Sequence, residues 1–240
     1  GKECYGFQGD TLASAMIANG ENMMARSFKY HRPRGVYTAG PEEPNALVSI
    51  RSGGRIEPNC TATTVELYEG LDAYSQNAWP SLSFDVMAIN QLFSPLLVAG
   101  FYFKTFMGTG QKFWHFCEHF IRRAAGMGKA GLEADPDRYE KENVFADLVI
   151  VGAGPAGLAA ALEAAPFGER VLLIDENVHF GGSLPEEQGS IDGKKPDVWA
   201  ADVIAKLSEH ENVSMMTRTT VYGYFDDDTL GAVERVADHK

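Results

Sequence analysis

The 240-residue chain is 45% hydrophobic and 22% charged, the balance of a protein that buries a core rather than staying disordered. Its formal charge of -12 argues against binding nucleic-acid phosphates or docking on an anionic membrane, since both need a basic face. Three scattered cysteines, Cys4, Cys60 and Cys117, are too few for a disulfide framework and fit a reducing cytoplasm. The most apolar stretch, Leu92 to Phe103, is interrupted by Pro95 and ends at Lys104, well short of the roughly twenty residues a membrane span needs. No signal peptide is visible, and the chain opens at Gly1 without an initiator Met, so both ends are expected to be cuts.

In chain order, residues 1–62 are predicted to form a small α+β domain. Asp10 or Thr11 is placed to cap a short helix from Leu12 to Asn19, which Gly20 closes. A basic segment, Arg26 to Gly35, and a loop rich in Pro and Glu lead to a strand at Ala46–Ile50. Residues 63–143 show no clean strand period and are dense in aromatics, among them Tyr68, Trp79, Phe84, Phe93, Tyr102, Phe103, Phe116 and Phe120. One helix is predicted there, from Lys112 to Ala125, ended by Gly126. Such a connector is expected either to cover a neighbouring surface or to form ordinary core.

From residue 144 the pattern changes. Asp147–Val151 is a continuous apolar run of buried-strand type, followed by a helix (156–165), a strand (170–174), a helix (197–210) and a strand (213–217). This β-α-β-α-β order is the first half of a Rossmann-type dinucleotide-binding domain. Its first turn reads Gly152-Ala-Gly-Pro-Ala-Gly157. Gly152 suits the tight turn, Gly154 lets backbone approach a pyrophosphate, and Gly157 lets the helix pack closely on the strand. Pro155 and Ala156 open that helix, whose free amides and dipole favour the phosphate charge. Asp175 falls at the end of the second strand, eighteen residues past Gly157, where a carboxylate can accept ribose hydroxyls and repel a 2′-phosphate. NAD or FAD is thereby favoured over NADP, and spacing does not choose between them. The pair Gly181-Gly182, followed by Ser183, is expected to let the chain pass close to the cofactor. Thr219-Thr220-Val221 is expected to bring backbone groups near an adenine ring.

Other patterns carry less. His115 and His119 share a helix face with Cys117 between them, but no further ligands accompany them, so no metal site is assigned. Asp226-Asp-Asp228 reads as a solvated hairpin tip rather than a calcium loop. No catalytic residue is assigned. Residues 1–62 resemble a plant-type ferredoxin fold, whose two-iron cluster uses C-x4-C-x2-C and a later fourth cysteine. That spacing places the ligand positions at Thr38, Glu43, Ala46 and Cys60, and only the last is a thiol. The expectation is a fold that kept its shape and lost its metal, with the four positions around one small volume; a chance match, with Cys60 a small buried hydrophobe, is the alternative.

The segments Arg26-Ser-Phe-Lys-Tyr-His-Arg-Pro-Arg-Gly35, Glu43-Pro-Asn-Ala-Leu-Val48, Ser75-Gln-Asn-Ala-Trp-Pro-Ser81 and Val151-Gly-Ala-Gly-Pro-Ala-Gly157 together resemble the alpha subunits of heterotetrameric sarcosine oxidases. The resemblance covers the amino-terminal quarter or so of such a subunit. It implies a complex of alpha, beta, gamma and delta subunits that oxidises sarcosine to glycine, forms hydrogen peroxide and passes the methyl carbon to tetrahydrofolate. By the same resemblance the alpha subunit holds a non-reacting NAD, while FAD and FMN lie elsewhere in the complex. NAD contacts would then fall on Ala156, Asp175, Glu176, Asn177, Ser183 and Val221. The resulting fold class is α/β: a ferredoxin-like α+β domain lacking its cluster (1–62), an aromatic-rich connector with a helix (63–143), and the truncated Rossmann-type domain (144–240). Two other readings stay open: an FAD-binding subunit of an opine- or amino-acid-dehydrogenase complex, and an assembly module with a vestigial nucleotide fold.

Overall fold

A computed structural model describes residues 1–101, 106 and 110–237, so the aromatics at 102 and 103 lie outside the described residues. The chain forms two compact units, Gly1–Arg138 and Tyr139–Lys240.

The first unit is built on a small antiparallel sheet. Strand β3 (Leu47–Ile50) lies between β4 (Glu57–Thr61) and β5 (Ala73–Ser75), with Val48 opposite Cys60 on one side and Ser75 on the other. The sheet therefore extends past residue 62 and into the segment expected to lack strands. A three-residue exposed strand is too short to leave a period in the sequence. Helix α1 (Leu12–Ala18) packs Leu12 and Ala13 into the same core as Met24, Ala46, Val48, Ile50, Ala62 and Val65. Thr11 caps it, with Ser14 bonding back to the Thr11 backbone, and Gly20 follows at φ +82° as the left-handed stop. The Leu12 and Ala13 amides, left free by the first turn, donate to Val65 O and Ala62 O.

Two buried carboxylates organise the loops of this unit. The basic segment is a hairpin, with β1 (Ala25–Arg26) paired to β2 (Pro33–Arg34), exposed at Arg32–Arg34 but buried at His31. His31 is buried and its Nδ1 lies 2.6 Å from Asp85 Oδ2, while the Arg26 guanidinium donates to Leu82 O and His31 O. Asp85 Oδ1 accepts from the amides of Trp79 and Met87, so this carboxylate ties the hairpin to the 79–87 loop. The second carboxylate is Glu43, only 3% exposed. Its Oε2 accepts from the Tyr37 and Thr38 amides and its Oε1 from those of Asn45 and Ala46, at 2.5–3.2 Å. Burial pushes the Glu43 pKa up, but the four backbone donors outweigh it and hold the carboxyl below its usual range.

Beyond the sheet, Asp85 caps a 3-10 stretch at Val86–Phe93, and helix α2 runs over Gln111–Ala124. Trp79, Phe84, Phe93, Phe116 and Phe120 are each at least half exposed. His115 and His119 are exposed on α2, and among the described residues no group of three or more His, Cys, Asp or Glu is gathered for a metal. No described helix is long and apolar enough to cross a membrane.

The second unit is a parallel sheet in the order β6 (Leu148–Val151), β7 (Val171–Ile174), β8 (Val213–Met216). Helix α3 (Pro155–Ala164) connects β6 to β7 and α4 (Pro196–Ser208) connects β7 to β8. Every residue of β7 is buried, as a central parallel strand requires. Leu158, Ala161 and Ala165 from the α3 side meet Leu173, Leu184, Ala200, Val203 and Leu207 in one core. At the entry to β6, the Arg170 side chain and amide grip the Asp147 carboxylate at 2.7–2.9 Å, which drives its pKa far below the ordinary value. Strands β9 (Thr219–Phe225) and β10 (Thr229–Glu234) form a hairpin whose tip is Asp226–Asp228, with Asp227 and Asp228 at positive φ.

Because the folded pKa of Glu43 lies below its unfolded value of about 4.3, its contribution to stability is complete above that value and is lost as pH falls through the folded pKa. Glu43→Gln should cost about 2–4 kcal/mol at pH 7, because two donors then face an amide nitrogen. The gap in urea midpoint between the two proteins should hold at neutral pH and narrow as pH falls below about 4.3, the unfolded value. A gap independent of pH would refute the charged-acceptor role.

Candidate dinucleotide-binding site

The glycine loop leaves β6 at Gly152, which has φ +92° and donates its amide to Ile174 O on β7. Only a residue without Cβ adopts this turn cheaply. Gly157 answers a different demand: a Cβ there would fall 1.9 Å from Gly152 O, so the helix can lie against the loop only if this position is bare. Gly154 is the residue before the helix, with ordinary extended dihedrals (φ -70°) and nothing within 4 Å of a Cβ built on it. Neither strain nor packing requires glycine there. What remains is open space over the backbone, next to a helix N-terminus that no side chain caps. Ala156 and Pro155 are exposed at that same end.

Between Gly152 and Gly154, Ala153 is completely buried and both halves of its peptide are engaged. Its amide donates to Asp175 Oδ2 at 2.6 Å, and its carbonyl accepts from Gly181 N at 2.8 Å. Gly182, at φ +57°, passes so close that a Cβ would stand 3.0 Å from Gly154 Cα. The glycine pair thus passes beside the phosphate loop.

Asp175 is placed where the spacing puts it, at the end of β7, but its surroundings differ from the expectation. It is 5% exposed, and its carboxylate already has a protein donor on each oxygen. Oδ2 takes Ala153 N, and Oδ1 takes both the backbone and the side-chain amide of Asn177. Its backbone also bonds to Met216 O and to Thr219 N, joining β7 to β8 and to the start of β9. The exposed acid at this corner is the next residue, Glu176. Sequence spacing finds the corner but does not separate two adjacent carboxylates; a burial argument can, because the residue continuing the buried β7 run turns inward. Asn177 spends its side chain on Asp175, and its carbonyl accepts from Arg218 N. Ser183 is exposed and its hydroxyl donates to Glu187. Val221 is half-buried on β9, opposite Ala232 and two residues past Thr219.

Comparison with known proteins finds a separate family match within each unit. Residues 1–78 match a family described as 2Fe-2S iron-sulfur cluster binding domain, and residues 147–230 match one described as FAD dependent oxidoreductase. Over its whole length the chain is 55% identical to the sarcosine oxidase subunit alpha of Rhizobium meliloti (strain 1021) and 35% identical to that of Corynebacterium sp. (strain P-1). The similarity to these alpha subunits runs along the whole chain. It spans 24% of the first of these relatives and 20% of the second. A solved structure, the L-proline dehydrogenase from P. horikoshii, is 21% identical with a TM-score of 0.55, covering 98% of this chain and 36% of the other. That likeness concerns the fold: a ferredoxin-like domain followed by a flavoprotein-type dinucleotide fold.

The two groups these families imply fare differently. The glycine loop, with open backbone at Gly154 and an uncapped helix beyond it, fits a dinucleotide. A two-iron cluster does not fit the first domain. The matching positions are Thr38, Glu43, Ala46 and Cys60, a set with one thiol where four are needed. The loop amides are moreover already engaged by the Glu43 carboxylate.

The contrast between two glycines is testable. Gly157→Ala should lower the stability of the second unit by about 2 kcal/mol or more, as overpacking does. Gly154→Ala should cost less, about 1 kcal/mol at most for the poorer N-cap residue, yet reduce bound dinucleotide in the full-length protein. Urea melts and nucleotide content measured on both variants check this, and equal stability losses would refute the distinction.

Proposed function

We propose that the second unit holds the ADP half of a dinucleotide, with the pyrophosphate over Gly154 and the N-terminus of α3. The observation that carries this reading is the combination of open backbone at Gly154 with an uncapped helix end. The amides of Ala156 and Gly157 would face the phosphate charge, and Gly152, Pro155 and Gly182 would shape the passage around it. In this reading the ribose hydroxyls go to Glu176, the exposed carboxylate, while Asp175 positions the loop from beneath and Asn177 holds Asp175 in place. Ser183 and Val221 would border the ribose and adenine sides.

The dinucleotide we assign is NAD, and the chain would be the NAD-holding, non-catalytic part of an alpha subunit. The support is homology along the whole chain to sarcosine oxidase alpha subunits. On that basis the parent protein would be an oxidoreductase acting on the CH–NH group of sarcosine with oxygen as acceptor. It would work in the cytoplasm with beta, gamma and delta subunits, yield glycine and hydrogen peroxide, and pass the methyl carbon to tetrahydrofolate. FAD and FMN would sit elsewhere in that complex. A second reading, FAD at this same loop in an opine- or amino-acid-dehydrogenase type of subunit, is favoured by the match of residues 147–230 to FAD dependent oxidoreductases. Both cofactors share the ADP half, so the loop serves either.

Denaturing the full-length subunit and identifying the released nucleotide decides between them: NAD supports the first reading, FAD the second, and neither refutes both. Glu176→Gln should weaken the dinucleotide about tenfold or more while leaving the melt unchanged, as expected for loss of a charged hydrogen bond. Asp175→Ala should lower both affinity and stability, the latter by about 1–3 kcal/mol, because it strips the buried Ala153 amide of its acceptor. If Glu176→Gln binds like the parent, the ribose is misplaced.

A further inference from the structure

The first unit contains a loop with the spacing of a cluster-binding loop and a buried anion at its centre. Four amides, those of Tyr37, Thr38, Asn45 and Ala46, converge on one carboxylate from both ends of the loop. Three of the residues involved, Thr38, Glu43 and Ala46, are themselves the positions that carry the first three thiols in a C-x4-C-x2-C loop. Converging backbone amides make an anion-binding concavity, the same device that surrounds iron–sulfur clusters in general. The Thr38 hydroxyl oxygen is buried with no hydrogen-bond partner, a cost that the rest of the loop must offset. Strand β4 runs past the end of this loop: Ala62 donates to the carbonyl of Ala46, and Cys60, two residues earlier, pairs with Val48 and has its thiol 3.5 Å from Glu57 O. Cys60 also packs against the core that contains Ala46.

We infer that Glu43 is the built-in replacement for the cluster: its carboxylate is the anion that the loop's amides hold now that the thiols are gone. The side chain at the second ligand position has turned into the loop and become its ligand. Loss of the metal and presence of Glu43 are then one structural change. Without an internal anion the four amides would lose their shared acceptor, the buried Ala46 amide among them, and the loop that starts β3 would open. This also makes the domain independent of iron, and it bars a cluster from returning by simple gain of thiols, since the carboxylate fills the space.

The experiment uses the full-length protein at pH 7. Hydrogen–deuterium exchange in Glu43→Gln should speed exchange of the 36–47 segment at least tenfold, with the β6–β8 strands unchanged. Unchanged exchange at 36–47 would overturn the proposal. The second arm restores thiols: Thr38→Cys/Glu43→Cys/Ala46→Cys, which joins Cys60 to make four, against Thr38→Cys/Ala46→Cys, which keeps the carboxylate. After anaerobic reconstitution with ferric iron, sulfide and a thiol, the triple variant should hold two irons per chain with visible iron–sulfur absorbance. The double variant should hold none. A triple variant that folds but takes no iron, or a double variant that takes as much, would each overturn the idea that Glu43 stands in for the cluster. Should the triple variant fail to fold, the exchange result on Glu43→Gln decides alone.

Discussion

The second unit turns on a single buried peptide. Ala153 lies between the two glycines that shape the phosphate loop, and neither of its polar atoms is free to reach water. Its amide needs an acceptor and finds Asp175; its carbonyl needs a donor and finds Gly181. An unpaired buried amide costs about 1–3 kcal/mol, so these bonds fix where the end of β7 and the glycine pair must lie. Each of those segments then constrains the next: Asp175 bonds through its backbone to Met216 and Thr219, and Gly182 is pressed against Gly154. The groove that would hold a dinucleotide is thus bordered by elements located from below by one alanine.

In the proposed reading this arrangement gives the acid at the strand end a structural task. A carboxylate with three donors, buried in the corner it stabilises, is a poor candidate for exchanging those donors with a sugar. Its neighbour carries no such commitment and is exposed. On that reading, dividing the work between adjacent residues would let the loop keep its shape whether or not a nucleotide is bound. It follows that a ligand need not spend binding energy on ordering the loop, which is the usual benefit of a preformed site.

The sequence made the parallel half of the fold readable because β6 and β7 are unbroken apolar runs and because Gly152 and Gly157 answer steric demands. Gly157 could be assigned to close packing from spacing alone, and the 1.9 Å approach of its missing Cβ to Gly152 O shows why. What stayed hidden was burial of charge. Asp175 and Glu176 look alike in a string of letters, and only the inward direction of the residue after Ile174 separates them. His31 and Asp85 are 54 residues apart, and no local pattern predicts that a basic run will bury its histidine against a carboxylate from a distant loop. The β5 strand escaped notice for another reason: three exposed residues have no period, and their strand character comes entirely from the edge of β3 that they cover.

Glu43 belongs with these hidden charges, and it links the two halves of the chain by a shared principle. Both units contain a loop whose backbone amides point at one small volume, a geometry that attracts negative charge whatever its source. In the second unit the amides at the start of α3 are left uncapped, and the loop can take its anion from outside. In the first unit the chain supplies the anion itself, and the loop is closed to anything else. The chemical difference is one side chain long enough to fold back onto its own loop. An amide cradle with such a side chain is a structural element, and the same cradle without one is a binding site. Whether a loop inherited from a cofactor-binding ancestor still binds can therefore be judged from where its amides point and what already faces them, before any ligand is sought.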